Sequence, residues 1–135
     1  MAVQLSSAVA EALVAEAQAA YPHECCGLLL GYGDIVAAIQ PALNVHPAPA
    51  THFELDPATL IAAHRTERAG GPEVLGCYHS HPVGPPEPSN ADQVMAARDN
   101  KVWAIVGRGE GGWLVRLWCT TEAGFVPLPS LGLTG

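Results

Sequence analysis

A chain of 135 residues with 49% hydrophobic content has the size of one ordinary domain and enough apolar surface for a core, so residues 1–135 are expected to form a single domain. A formal charge of −7 with only six Lys plus Arg excludes an electrostatic grip on nucleic acid or on anionic lipid, both of which need basic clusters. No apolar run reaches the ~20 residues that span a bilayer, and residues 1–20 lack a basic n-region and carry Glu11 and Glu16, so the expected location is the cytoplasm.

In chain order, residues 4–20 are rich in alanine and glutamate and predict a helix that stops ahead of Pro22. Residues 25–32 are almost continuously apolar, as in a strand buried on both faces, and Gly33-Asp34 is a tight-turn signal leading into a partner strand over 35–40. The stretch 41–56 contains Pro41, Pro47 and Pro49 and reads as an irregular loop. Asp56 is placed to cap a helix over 57–68. A strand over 74–78 follows, then a proline-rich return, then a helix from 89 to about 100. Residues 102–106 and 113–119 read as antiparallel strands joined by the turn Gly109-Glu110-Gly111-Gly112, and 124–128 as an edge strand. The pattern is α/β, a mixed central sheet flanked by helices.

The stretch from His79 to Asp92 concentrates the chemistry. On a strand, residues i and i+2 share a face roughly 7 Å apart, so His79 and His81 can address one ion. Zinc takes imidazole nitrogen at ~2.0 to 2.1 Å and, in catalytic sites, three protein ligands plus one open position. Pro82 ends the strand, Gly84-Pro85-Pro86-Glu87-Pro88 cannot hold ladder hydrogen bonds, and Ser89 has the character of a helix N-cap. The chain therefore turns back, and Asp92 falls in the first helical turn, where the dipole favours the ionised carboxylate that a metal requires. Ser-x-x-Asp is also a capping-box pattern, which could do no more than satisfy free backbone donors. The two roles are compatible.

This array resembles the JAMM (MPN-type) metalloproteases: a distant glutamate, then His-Ser-His-Pro, then Ser-x-x-Asp. The resemblance extends from the first helix to the strands after the motif and is closest to short, single-domain bacterial members. It implies a cytidine-deaminase-like architecture and Zn2+ as cofactor, with His79, His81 and Asp92 as ligands. It also implies that Glu24, in Pro22-His23-Glu24-Cys25-Cys26-Gly27, activates the metal's water, and that Ser89 steadies the tetrahedral oxyanion. Some bacterial members act on small ubiquitin-like sulfur-carrier proteins, so a carrier of that kind is the implied partner. The chain has little room for the insertions with which relatives grip two ubiquitin units.

Three function classes are compared. The first is a zinc metallopeptidase or isopeptidase acting at the C-terminal tail of a ubiquitin-like or sulfur-carrier protein. The others are a small-amide hydrolase using the same chemistry and a non-catalytic MPN interaction module, the last undercut by the complete ligand set. There is no His-Glu-x-x-His, no deaminase signature and no paired-cysteine finger. Cys25, Cys26, Cys77 and Cys119 lack Cys-x-x-Cys spacing and are expected as buried apolar side chains, although Cys26 would share a face with Glu24, and Cys77 with His79. Trp103, Trp113 and Trp118 are expected in the core or on the sheet face. His46, His52 and His64 are expected to face solvent or bond locally, while His23 and the loop over 44–53 could line the cleft. The sequence sets no oligomeric state.

Overall fold

The computed structural model describes residues 2–133, and side chains up to residue 129. One eight-stranded mixed sheet, in the order β7-β6-β5-β4-β2-β3-β1-β8, organises the described residues. The strands are β1 (Val3–Ser6), β2 (Cys26–Tyr32), β3 (Ile35–Ala42), β4 (Glu73–Ser80), β5 (Val102–Gly109), β6 (Gly112–Thr121), β7 (Gly124–Leu128) and β8 (Ser130–Leu133). The helices are α1 (Ser7–Ala20), α2 (Pro57–Arg68) and α3 (Asn90–Met95). No helix among them is long and apolar enough to cross a membrane.

Three departures from the sequence reading have clear causes. The first helix begins at Ser7 rather than residue 4, because Val3 and Leu5 alternate buried with half-buried neighbours and pair with β3 and β8 in parallel. Ser6 then caps α1, its hydroxyl accepting from the Val9 N–H at 3.1 Å. The helix expected to reach residue 100 ends at Met95: Ala96 is already extended, and Asn100, at φ 62°, turns the chain into β5. Strand β3 also runs through Pro41 to Ala42, into the expected loop. Beyond Val36 its only ladder partner among the described residues is β2, so a proline there costs no hydrogen bond on the open side. The hairpin at Gly33, the cap at Asp56 and the edge position of β7 match the sequence reading.

Strand alternation divides the core in two. Val9, Leu13 and Ala17 of α1 pack on Leu29, Val36, Tyr78, Ala104, Val106 and Leu117, the larger apolar layer. Tyr78 is fully buried there, and its hydroxyl donates to Glu16 Oε1 at 3.2 Å, tying α1 to β4. Opposite, Cys26, Phe53 and Trp103 form a smaller cluster with Cys77 and Trp118 against it. His79, one position from Tyr78, consequently faces this second layer.

Candidate metal centre

The centre lies at the C-terminal end of β4, where β4 and β5 run parallel with α3 between them in sequence. His79 Nε2 and His81 Nε2 are 3.1 Å apart, and Asp92 reaches them with Oδ1 3.1 Å from His79 Nε2 and Oδ2 3.0 Å from His81 Nε2. His79 and Asp92 are buried and His81 nearly so. Three ligand-type atoms at these spacings suit one ion: ligands ~2.0 Å from a tetrahedral centre lie about 3.3 Å from one another. A donor set of two imidazoles and one carboxylate is also a zinc set.

The proline-rich return holds His81 in the orientation such a site needs. The His81 Nδ1 donates to the Pro85 carbonyl at 2.8 Å, which leaves Nε2 as the lone-pair nitrogen facing the cluster. Pro85 is in turn placed by its neighbours. The Trp118 indole donates to the Pro86 carbonyl at 3.1 Å, the Arg108 Nε to Pro82 O at 3.1 Å, and the Arg108 N–H to Gly84 O at 2.7 Å. Gly107 permits this contact, because a Cβ there would run into the backbone of Pro85 and Pro86. Under the opposite face of the site, the Phe53 ring stacks on His79 with centroids 4.3 Å apart, and Trp103 meets it edge-on at 5.4 Å.

Electrostatics agree with this arrangement. Burial alone would raise the Asp92 carboxyl, but its contacts with the His79 and His81 imidazoles and the bond donated by the Ser89 N–H hold it far below the ordinary carboxylate range. Burial lowers His79, keeping it neutral, whereas for His81 the cost of burial is outweighed by Asp92 and the Pro85 carbonyl, and its value is raised. Ser89 and Asp92 do form the capping box: the Asp92 N–H donates to Ser89 Oγ at 3.1 Å, and the Ser89 N–H donates to Asp92 Oδ2 at 2.9 Å. The box uses an acceptor lone pair of Ser89 Oγ and leaves its O–H proton available.

Glu24 stands just ahead of β2, whose Cys26 lies opposite His79 in the ladder. The residue is 5% exposed, and its Oε1 has no partner among the described residues. Burial raises its pKa to about 7, with His81 opposing and Asp92 adding to the rise. The thiols are not assembled with the cluster. Cys26 and Cys77 lie on the site's face of the sheet, but burial pushes Cys26 up to about 12 and Cys77 higher still, and Cys25 to about 11, so none is a ready thiolate at neutral pH. His23 is exposed, His46 and His52 stack on each other at 4.7 Å, and His64 sits 3.4 Å from Glu67. Phe53, Trp103 and Trp118 carry supporting contacts that no local motif announces.

Residues 6–120 match the family model for prokaryotic homologs of the JAB domain. The chain belongs to this Prok-JAB family. A desampylase of Haloferax volcanii is 36% identical over 86 residues, 62% of this chain and 62% of that protein. A probable TtuB-protein conjugate cleaving protease of Thermus thermophilus is 38% identical over 86 residues, 64% of this chain and 57% of that protein. The chain thus spans about six tenths of the length of these relatives. The solution structure of a Desulfitobacterium hafniense protein superposes with TM-score 0.86 at 28% identity, covering 98% of this chain and 94% of that one. The Prok-JAB chain shares the JAB/MPN fold, a mixed sheet with flanking helices, and carries the His-His-Asp cluster on it.

Proposed function

We propose that this chain is a zinc-dependent peptidase or isopeptidase that hydrolyses an amide bond at the C-terminal tail of a ubiquitin-like or sulfur-carrier protein. The observation that carries the reading is a buried carboxylate, Glu24, with an unpartnered oxygen, two residues ahead of the Cys26 that pairs with His79 and electrostatically coupled to His81 and Asp92. A carboxylate left unsatisfied in a buried place is costly, and a catalytic role accounts for its being kept there. The relatives support the substrate class: the Thermus protein is named for cleaving protein conjugates, and the Haloferax protein as a desampylase.

His79, His81 and Asp92 would hold the ion, and zinc there supplies a Lewis acid able to bring a water's pKa from 15.7 to ~7. Glu24, poised at about 7, accepts the proton of the attacking water and delivers it to the departing amine. Ser89 keeps its cap and donates its O–H to the oxyanion that forms on the scissile carbonyl, an interaction of roughly 3 to 4 kcal/mol where similar donors have been removed. Phe53 and Trp103 pack beneath His79 and keep bulk water from that side. Four unpaired thiols suit a reducing compartment such as the cytoplasm.

The test uses a ubiquitin-like sulfur-carrier protein joined through its C-terminal carboxyl to the lysine side chain of a fluorescent peptide, beside a short peptide amide. Zinc-loaded protein is expected to release the folded carrier intact and to cleave the short amide far more slowly. Equal turnover of both probes would favour a small-amide hydrolase. Stoichiometric zinc with no turnover of either would leave an interaction module.

A further inference from the structure

We propose that Asn44 is the positioning residue that aims Glu24, acting through the backbone, a role that rests on the catalytic reading of Glu24 above. With Oε1 bonded to nothing among the described residues, the Glu24 side chain is not steered by hydrogen bonds of its own. Its direction is inherited from its peptide groups. Both are tied to the loop between β3 and α2: the Glu24 N–H donates to Pro49 O at 2.7 Å, and the Glu24 carbonyl accepts from Asn44 Nδ2 at 3.1 Å.

Asn44 is the hub of that loop. The second Nδ2 proton goes to the His52 carbonyl at 3.0 Å, and Oδ1 accepts from the N–H groups of His46 and Glu54, each at 3.1 Å. All four hydrogen-bonding sites of one amide are occupied. The orientation is unambiguous, since a flipped amide would set oxygen against two carbonyls and NH2 against two N–H groups. A backbone bridge between Asn44 and Leu55 closes the loop at its base. Within it, Phe53 stacks on His79. One side chain thereby fixes a segment that touches the base on one side and a metal-binding imidazole on the other.

The experiment separates aiming from folding. Asn44→Asp keeps both acceptor bonds but places an unprotonated oxygen against the Glu24 and His52 carbonyls, and Asn44→Ala removes the hub without adding charge. The readouts are zinc stoichiometry, kcat and KM on the carrier-peptide probe, and the 13C titration of the Glu24 carboxyl in zinc-free protein. Both variants are expected to fold and bind one zinc, with kcat lowered roughly 100-fold, the usual penalty for a misplacement near 1 Å, and KM within about two-fold. The Glu24 titration should move from near 7 toward the ordinary 4.5 as the carboxyl escapes burial. Glu110→Gln, in the exposed turn between β5 and β6, should leave all three readouts as in the wild type. Wild-type kcat with an unmoved titration in both variants would overturn the proposal, as would loss of fold in both, which would make Asn44 merely structural. An inactive wild type would instead count against the proposed function.

Discussion

Replacing Glu24 by glutamine should stabilise the zinc-stripped protein at alkaline pH while abolishing turnover. The carboxyl has an ordinary value of 4.5 and rises to about 7 in the fold, because burial penalises its charge. A group raised on folding favours the native state below its unfolded value, and that contribution is lost as pH climbs through the folded value. At about 1.4 kcal/mol per pH unit, the interval from 4.5 to about 7 amounts to roughly 3 kcal/mol at pH 8. The wild type must hold that buried charge, and the neutral amide escapes it. Glutamine adds a constant offset of packing, so the diagnostic is the shape of the difference: flat below pH 4.5, growing between 4.5 and about 7, and level above. Urea unfolding of both proteins in chelator, from pH 4 to pH 8, measures it directly. In thermal melts the gain at pH 8 is roughly 10 °C for a chain this long. A difference that stays constant across the whole range would refute the assignment of a buried, charge-resisting carboxylate.

His79→Ala and Asp92→Asn should each lose stoichiometric zinc by elemental analysis, whereas Glu24→Gln should retain it; zinc retained by His79→Ala would dismantle the ligand set. Ser89→Ala should cost about 1 kcal/mol of stability through the lost cap and lower kcat by about 10² to 10³, checked by denaturation and steady-state kinetics, and kcat close to wild type would restrict Ser89 to capping. Phe53→Ala should destabilise the protein by about 3 to 5 kcal/mol and weaken zinc in competition with a chromophoric chelator, since the ring packs on His79; unchanged zinc affinity would make it ordinary core. Trp118→Phe removes the bond to Pro86 and should weaken zinc about 10-fold or more through the His81–Pro85 contact, read by the same competition.

The parts written in short-range code were open to reading without coordinates. Alternation along residues 74–80 puts His79 and His81 on one face of a strand, prolines after His81 force a return, and Ser89 with Asp92 spell a helix start. Each is a local rule about backbone geometry, and the hairpin at Gly33 and the cap at Asp56 follow the same way. Glu24 is marked in the sequence only by likeness to a family pattern, since one acidic residue shortly after a proline has no local signature. What tertiary structure decided was everything that depends on which segments become neighbours. Val3–Ser6 is a strand because a parallel partner waits on each side, a fact invisible in four residues that fade into a helix. The burial that lifts Glu24, the Phe53 ring on His79, the Trp118 indole on Pro86 and the four bonds of Asn44 all join groups distant in sequence. Desolvation and long-range contact are properties of the folded surface and not of any window along the chain. The members of the cluster were therefore legible, while the forces that hold and tune them were not.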